Sequence, residues 1–334
     1  MEVLEKPFID LDEQIEKLIA RGLEITDHDK ARQQLVKTTY YDLINGYKDM
    51  FLLPKEEKWH DDKYIQGTKL NDIIDLYELD RQLRNATLEV TLDIECRFYS
   101  SMSYSLAKVY GEKEEDYLNK DNYKLGNTQS HNGNYERENL FDALRNKINK
   151  PKIQPLIYYK KKYNNIPPWI LVKDLTFGEL VMLYKLSSKE VKEEVISNIL
   201  GTTADEKTKE LFFVSIKIFN KFRNWAAHGG RMYNYRCRIE LPYTEHHANI
   251  FGISKEKYIQ GNGKNDFASL IIAAMFFLKK DYSYMLEFIV KIRVNLDDYQ
   301  KTNPIQYENI LIELGIPSNY FQSIQRGMMI SPLT

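Results

Sequence analysis

The chain has 334 residues, 43% of them hydrophobic and 28% charged, with a formal net charge of −1. That length supports one large domain or two ordinary ones around a real apolar core. The charge excludes a protein that wraps duplex nucleic acid by bulk positive charge, so any nucleic-acid site must be a local patch. Two cysteines, Cys96 and Cys237, lie far apart and show neither zinc spacing nor a disulfide framework, which fits a reducing cytoplasm. The acidic opening MEVLEKPFIDLDEQ lacks the apolar stretch of a signal peptide. The longest apolar runs, 211–214 and 270–278, are too short for a membrane span. Tyrosine is abundant, at 24 residues, and most of these rings are expected as half-buried filler between helices.

In chain order, Leu11, Ile15, Leu18 and Ile19 recur at helical spacing until Gly22. Asp27 is placed to cap a second helix, and the aromatic stretch TYYDLINGYKDMF (39–51) follows. After a polar loop near 54–67, Thr68 can cap a long helix that runs to Tyr110 and stops at Gly111, with one kink expected. Residues 112–135 read as a polar loop or insertion, and two shorter helices flank Pro151. Pro167-Pro168 is a firm break. Thr176 with Glu179, and Thr203 with Glu206, have capping-box spacing. The second box opens a strongly apolar helix over about 205–228, ended by Gly229-Gly230. Residues 231–263 read as irregular, with room for a short hairpin, and further helices are expected over about 265–298, 304–315 and 318–327. The pattern predicts an all-α bundle: an N-terminal helical region over 1–67, a helical domain over 68–240 with an insertion near 112–165, and a C-terminal helical extension over 241–334.

The informative stretch is KFRNWAAHGGRMYNYRCR, 221–238. Between Leu211 and Ile239 there is no Asp or Glu, but there are six cations: Lys217, Lys221, Arg223, Arg231, Arg236 and Arg238. On composition alone this is equally a polyanion site or the solvated basic end of a helix. Asn224 and His228, four apart, share a helix face. Arg223 lies about 100° away round the helix, within reach of the same site for so long a side chain. RNA cleavage needs such groups. An imidazole can move protons at the 2′-OH and the leaving 5′-oxygen. A guanidinium matches phosphate oxygens, and an amide can orient either. This chemistry requires no metal, and DNA, without a 2′-OH, would not be cut.

RNWAAH followed by GGRMYN resembles the HEPN motif of Abi-like (AbiD/AbiF-type) abortive-infection proteins. Other stretches agree in the same order: KPFIDLDEQIEKLIARGLEI (6–25), YYDLINGY (40–47), DLYELDRQLRNATLEVTLDIECRF (75–98) and LTFGELVMLY (175–184). The likeness spans roughly 6–238. It implies a HEPN-type helical bundle acting as a metal-independent RNase without a cofactor. In it Arg223 would stabilise phosphate, Asn224 would position it, and His228 would be the acid or base. One motif supplies half of the usual composite site, so a homodimer is implied, and a small structured RNA is an expected regulator. The chain departs from the family where Gly229 stands in place of a frequent second histidine, which keeps a non-cleaving RNA-binding protein as the rival reading. A helical protein–protein module is the third.

Lys221, Arg231 and Arg236 are further candidates for RNA contact. So are Lys160, Lys161 and Lys162 in YYKKKYNN (158–165), where aromatics flank three lysines as on a single-strand platform or a solvated helix end. Glu95 and Arg97 in DIECR (93–97) either support the catalytic helix or form a structural ion pair. Arg81 and Arg84 suit surface pairs with Glu78 and Asp80 better than phosphate contacts. Glu245, His246 and His247 lack a fourth ligand, so no metal is expected, and GNGK (261–264) is not a phosphate loop.

Overall fold

Side-chain caps set the helix starts. Asp10 accepts the Glu13 N–H at 2.9 Å, and Glu13 accepts the Asp10 N–H in return, opening α1 (Leu11–Ala20). Asp27 caps α2 (His28–Lys37) through the Lys30 N–H at 3.0 Å. The long helix α3 (Leu70–Tyr110) is helical at every residue, and at 1.5 Å per residue its 41 residues reach about 60 Å. Thr68 does not cap it, because its hydroxyl is given to the Ile65 carbonyl. The start is held instead from inside, by Asp72 accepting the Lys69 N–H at 2.8 Å. This computed structural model describes residues 8–54, 61–128, 133–320 and 322.

Then come α4 (Glu136–Asn149) and α5 (Leu156–Tyr163) on either side of Pro151, and α6 (Phe177–Leu186), with the expected Thr176–Glu179 box. After α7 (Lys189–Leu200), the apolar helix α8 (Glu206–Ala227) starts two residues later than a cap at Thr203 would place it. Its cap is Asp205, whose carboxylate takes the Thr208 N–H at 2.7 Å. Residues 231–263 hold two one-turn helices, Glu245–Asn249 and Lys255–Ile259, and no hairpin. The segment read as one helix over 265–298 is two, α9 (Phe267–Phe277) and α10 (Tyr282–Thr302), because Asp281 caps a new start by accepting the Tyr284 N–H at 3.3 Å. α11 (Pro304–Leu314) follows, and six of the ten residues of the helix expected over 318–327 lie outside the described residues. The described chain is all-α, with isolated bridges and no strand. None of its described helices is long and apolar enough to cross a membrane.

α3 is the axis of the bundle, and α7, α8 and α10 pack along it. α9 is apolar on every side and lies against α8, where Phe277 stacks on Phe212 at 5.4 Å and meets Phe219 edge-on at 5.5 Å. One continuous set of buried residues runs from Ile15 to Tyr320.

Candidate active site

α8 is fixed by its buried face, Phe212, Ile216, Phe219, Phe222 and Ala226. Its C-terminus closes as a Schellman motif. The Gly230 N–H donates to the Trp225 carbonyl at 2.9 Å and the Gly229 N–H to the Ala226 carbonyl at 3.2 Å. Gly229 takes φ +74°, the left-handed conformation that such a stop requires. Gly230 is needed for space: a Cβ there would lie 2.3 Å from the Trp225 ring. The indole in turn stacks on Tyr235 at 4.7 Å and donates from Nε1 to the Arg231 carbonyl at 2.8 Å. His228 is therefore the last residue before a rigid reversal. Its imidazole is exposed and makes no hydrogen bond among the described residues.

Arg223 and Asn224 touch directly, Arg223 Nη1 donating to Asn224 Oδ1 at 3.2 Å, while Asn224 Nδ2 donates to Asn220 at 3.3 Å. Behind Arg223, its Nε lies 3.5 Å from Glu95 Oε2; both atoms are buried and neither has a hydrogen bond. The guanidinium is thus backed by a carboxylate at ion-pair distance, with a third of its side chain still open to solvent. The Tyr99 hydroxyl sits 3.2 Å from the other oxygen of Glu95 and against the Leu175 carbonyl. With one proton it serves one of them at a time. Burial pushes this phenol well above its ordinary range, so it stays neutral. Side chain to side chain the structure joins Arg223, Asn224 and Glu95. His228 lies one turn on, linked to Asn224 through its own N–H to the Asn224 carbonyl at 3.1 Å.

The remaining candidates divide. Lys221 is exposed and without an ion pair among the described residues. Arg231 sits beside His228, its Nη1 donating to the Gly46 carbonyl at 2.6 Å. Arg236 is turned to α11, donating to the Glu313 carbonyl at 2.7 Å. Arg97 takes the structural alternative: it bridges Asp93 and Asp281, tying α3 to the start of α10, with no hydrogen bond or ion pair to α8 among the described residues. Lys160, Lys161 and Lys162 lie on α5, and no hydrogen bond or ion pair joins α5 to α8 among the described residues. Lys160 pairs with Glu114 at 3.2 Å, and Lys162 donates to the Tyr158 hydroxyl at 2.7 Å. Arg81 pairs with Glu78 on the surface, as its spacing suggests. His247 is fully buried, with Nδ1 3.0 Å from the Thr244 N–H and Nε2 2.9 Å from the Gly263 carbonyl. Both ring nitrogens are thereby occupied, and no group of three or more metal-ligating side chains occurs among the described residues.

Asp80 organises the site, although its spacing to Arg84 predicts only a surface pair. It is fully buried on α3. One oxygen takes the Met232 and Tyr233 N–H groups at 2.7 and 2.8 Å; the other takes the Tyr47 hydroxyl at 2.8 Å and the Arg84 guanidinium. It pins the residues just after the Gly-Gly reversal onto the long helix and onto the N-terminal region. The signal was present: Ile73, Leu76, Asp80, Leu83, Thr87, Val90 and Ile94 form one buried 3–4 stripe, and an acid on such a stripe needs partners. Between this anchor and His228 opens a cleft of about 590 Å³, walled on its far side by the π-helical turn Tyr41–Asn45 and by Gly46.

A family model described as "Abi-like protein" matches residues 33–234, from within α2 to just past the His228 reversal. No curated protein and no solved structure matches the chain.

Proposed function

The chain belongs to the Abi-like abortive-infection family, and on that premise we propose that it is a HEPN-type endoribonuclease that cuts RNA in phage defence. The observation that carries this reading is an exposed imidazole, without a hydrogen bond among the described residues, at a rigid helix end one turn from an exposed amide and a carboxylate-backed arginine. His228 takes the proton of the 2′-OH, or gives one to the leaving 5′-oxygen. The 2′-oxygen forms a bond to phosphorus as the P–O5′ bond breaks, leaving a 2′,3′-cyclic phosphate and a 5′-OH. Arg223 and Asn224 hold the charge that grows on the phosphate oxygens. Glu95 keeps the arginine fork in place rather than reacting. One histidine cannot act as base and acid in a single displacement, so a second copy facing the first supplies the partner group, and the working unit is a homodimer. In this reading residues 68–240 are the HEPN-like domain, and the enzyme works in the cytoplasm, where its substrate is.

Labelled RNA incubated with the purified protein in EDTA tests the proposal. Cleavage is expected to persist, and His228→Ala and Arg223→Ala are each expected to lower it at least about 10²-fold with helicity unchanged. RNA bound but left intact would favour the non-cleaving alternative, which Gly229, in place of a second histidine, makes specific to this chain.

A further inference from the structure

The cleft beside His228 has a composition that nuclease chemistry does not itself demand. Its wall includes two exposed aromatic rings, Tyr41 at 74% and Trp225 at 41% exposure. Three cations line it as well: Lys37, Arg84 and Arg231. Two of these are fixed in place. Arg231 is held by the Gly46 carbonyl at 2.6 Å; Arg84 is held by Asp80 and Tyr47 and lies 5.7 Å over the Tyr77 ring. A guanidinium has five N–H donors, and these contacts use only part of each set. The opening of about 590 Å³ is in the size range of small-ligand sites, roughly 300–1,000 Å³. Trp225 is stacked on Tyr235 and backed by Gly230, so the open ring is that of Tyr41. An open ring beside anchored guanidinium groups is what one unpaired nucleotide needs: a surface for its base and donors for its phosphate. An apolar ligand would leave those donors empty, and a duplex could not fold a base into the opening.

We infer that this cleft is a single-nucleotide subsite that holds the residue of single-stranded RNA next to the bond cut at His228. Its base lies on Tyr41, and its phosphate on Arg231 and Arg84. The inference rests on the ribonuclease reading and deepens it. It gives the N-terminal region, through Lys37, Tyr41 and Asn45, a direct part in choosing substrate, and it limits substrates to unpaired RNA.

The test uses the full chain and a short fluorescent single-stranded RNA, 2′-O-methylated throughout so that it cannot be cut. Tyr41 and Lys37 are exposed, so their alanine variants keep the fold, as far-UV circular dichroism will show. Tyr41→Ala is expected to weaken binding about tenfold. Lys37→Ala is expected to weaken it and flatten its salt dependence by somewhat under one unit of slope. Binding by both variants within twofold of wild type, or equal affinity for a hairpin duplex, would overturn the subsite. The two readings fail separately. If His228→Ala cuts unmodified RNA as wild type does while Tyr41→Ala loses affinity, the ribonuclease falls and the cleft stands. If Tyr41→Ala binds normally while His228→Ala is dead, the cleft falls and the ribonuclease stands.

Discussion

Replacing Asp80 with alanine removes the anchor under the candidate site, and the structure sets the size of the effect. The carboxylate is fully buried, and the Arg84 side chain that faces it is only 11% exposed. Breaking a buried pair by deleting one partner typically costs about 3–5 kcal/mol. Two backbone N–H groups, of Met232 and Tyr233, lose their acceptor as well, at roughly 1–3 kcal/mol each if they stay dry. The 231–235 segment can relax toward water and recover part of that, so the expected loss is about 4–5 kcal/mol. Against a typical stability of roughly 5–15 kcal/mol this is severe. Asp80→Asn keeps an acceptor for the two N–H groups but cannot neutralise Arg84, and falls between wild type and alanine. Urea unfolding followed by circular dichroism and by tryptophan fluorescence, which samples Trp225, gives both numbers. A loss below about 1 kcal/mol for Asp80→Ala would refute the role of this carboxylate as an anchor.

The two glycines after His228 differ in kind. Gly230→Ala drives a Cβ into the Trp225 ring and should cost about 1–3 kcal/mol with a shift in fluorescence. Gly229→Ala meets open space and costs only the left-handed backbone, about 1 kcal/mol; the reverse order in thermal denaturation would contradict the reversal described here. Burial pushes His247 below the ordinary histidine range, so above about pH 6.5 its contribution to stability is intact. As pH falls, the unfolded chain takes the proton first, and stability is lost through the lowered folded-state value; His247→Gln should blunt that acid loss. Asp266 has the opposite sign. Burial pushes it up to about 6 from an ordinary 3.8, so folding favours its protonated form, and stability falls as pH rises between those values, by an amount on the order of 3 kcal/mol. Wild type should lose ground to Asp266→Asn over that interval, and parallel pH curves for the two proteins would contradict the assignment.

Local chemistry made much of the fold legible. Asp27, Thr176 with Glu179, Gly111 and Gly229 stand at the helix boundaries where capping rules put them. Competing caps were harder to rank. Asp205 displaces Thr203 because a carboxylate two residues nearer the helix reaches the Thr208 N–H, and Asp281 splits a periodic run that otherwise reads as one helix. The site was legible as a motif and a charge pattern, but not as a place. That Gly46 meets Arg231, 185 residues on, and that Asp80 meets Met232 are tertiary facts with no local trace. The same holds for Arg97, whose partner Asp281 lies 184 residues away, and for Lys160, whose partner Glu114 lies 46 residues back, beyond α4.

The apolar helix α9 has a consequence for how the molecule comes into being. Phe212 and Phe219, which hold α8 in place, find Phe277 only when the chain has grown about 50 residues past His228. At roughly 5–20 residues per second, translation needs some seconds to cover that distance. Until then α8 can lie on α3, with Phe212 against Phe98 and Tyr184, but the side that Phe277 covers stays open, so the helix that carries the candidate site gains its last wall only after the site residues have been made.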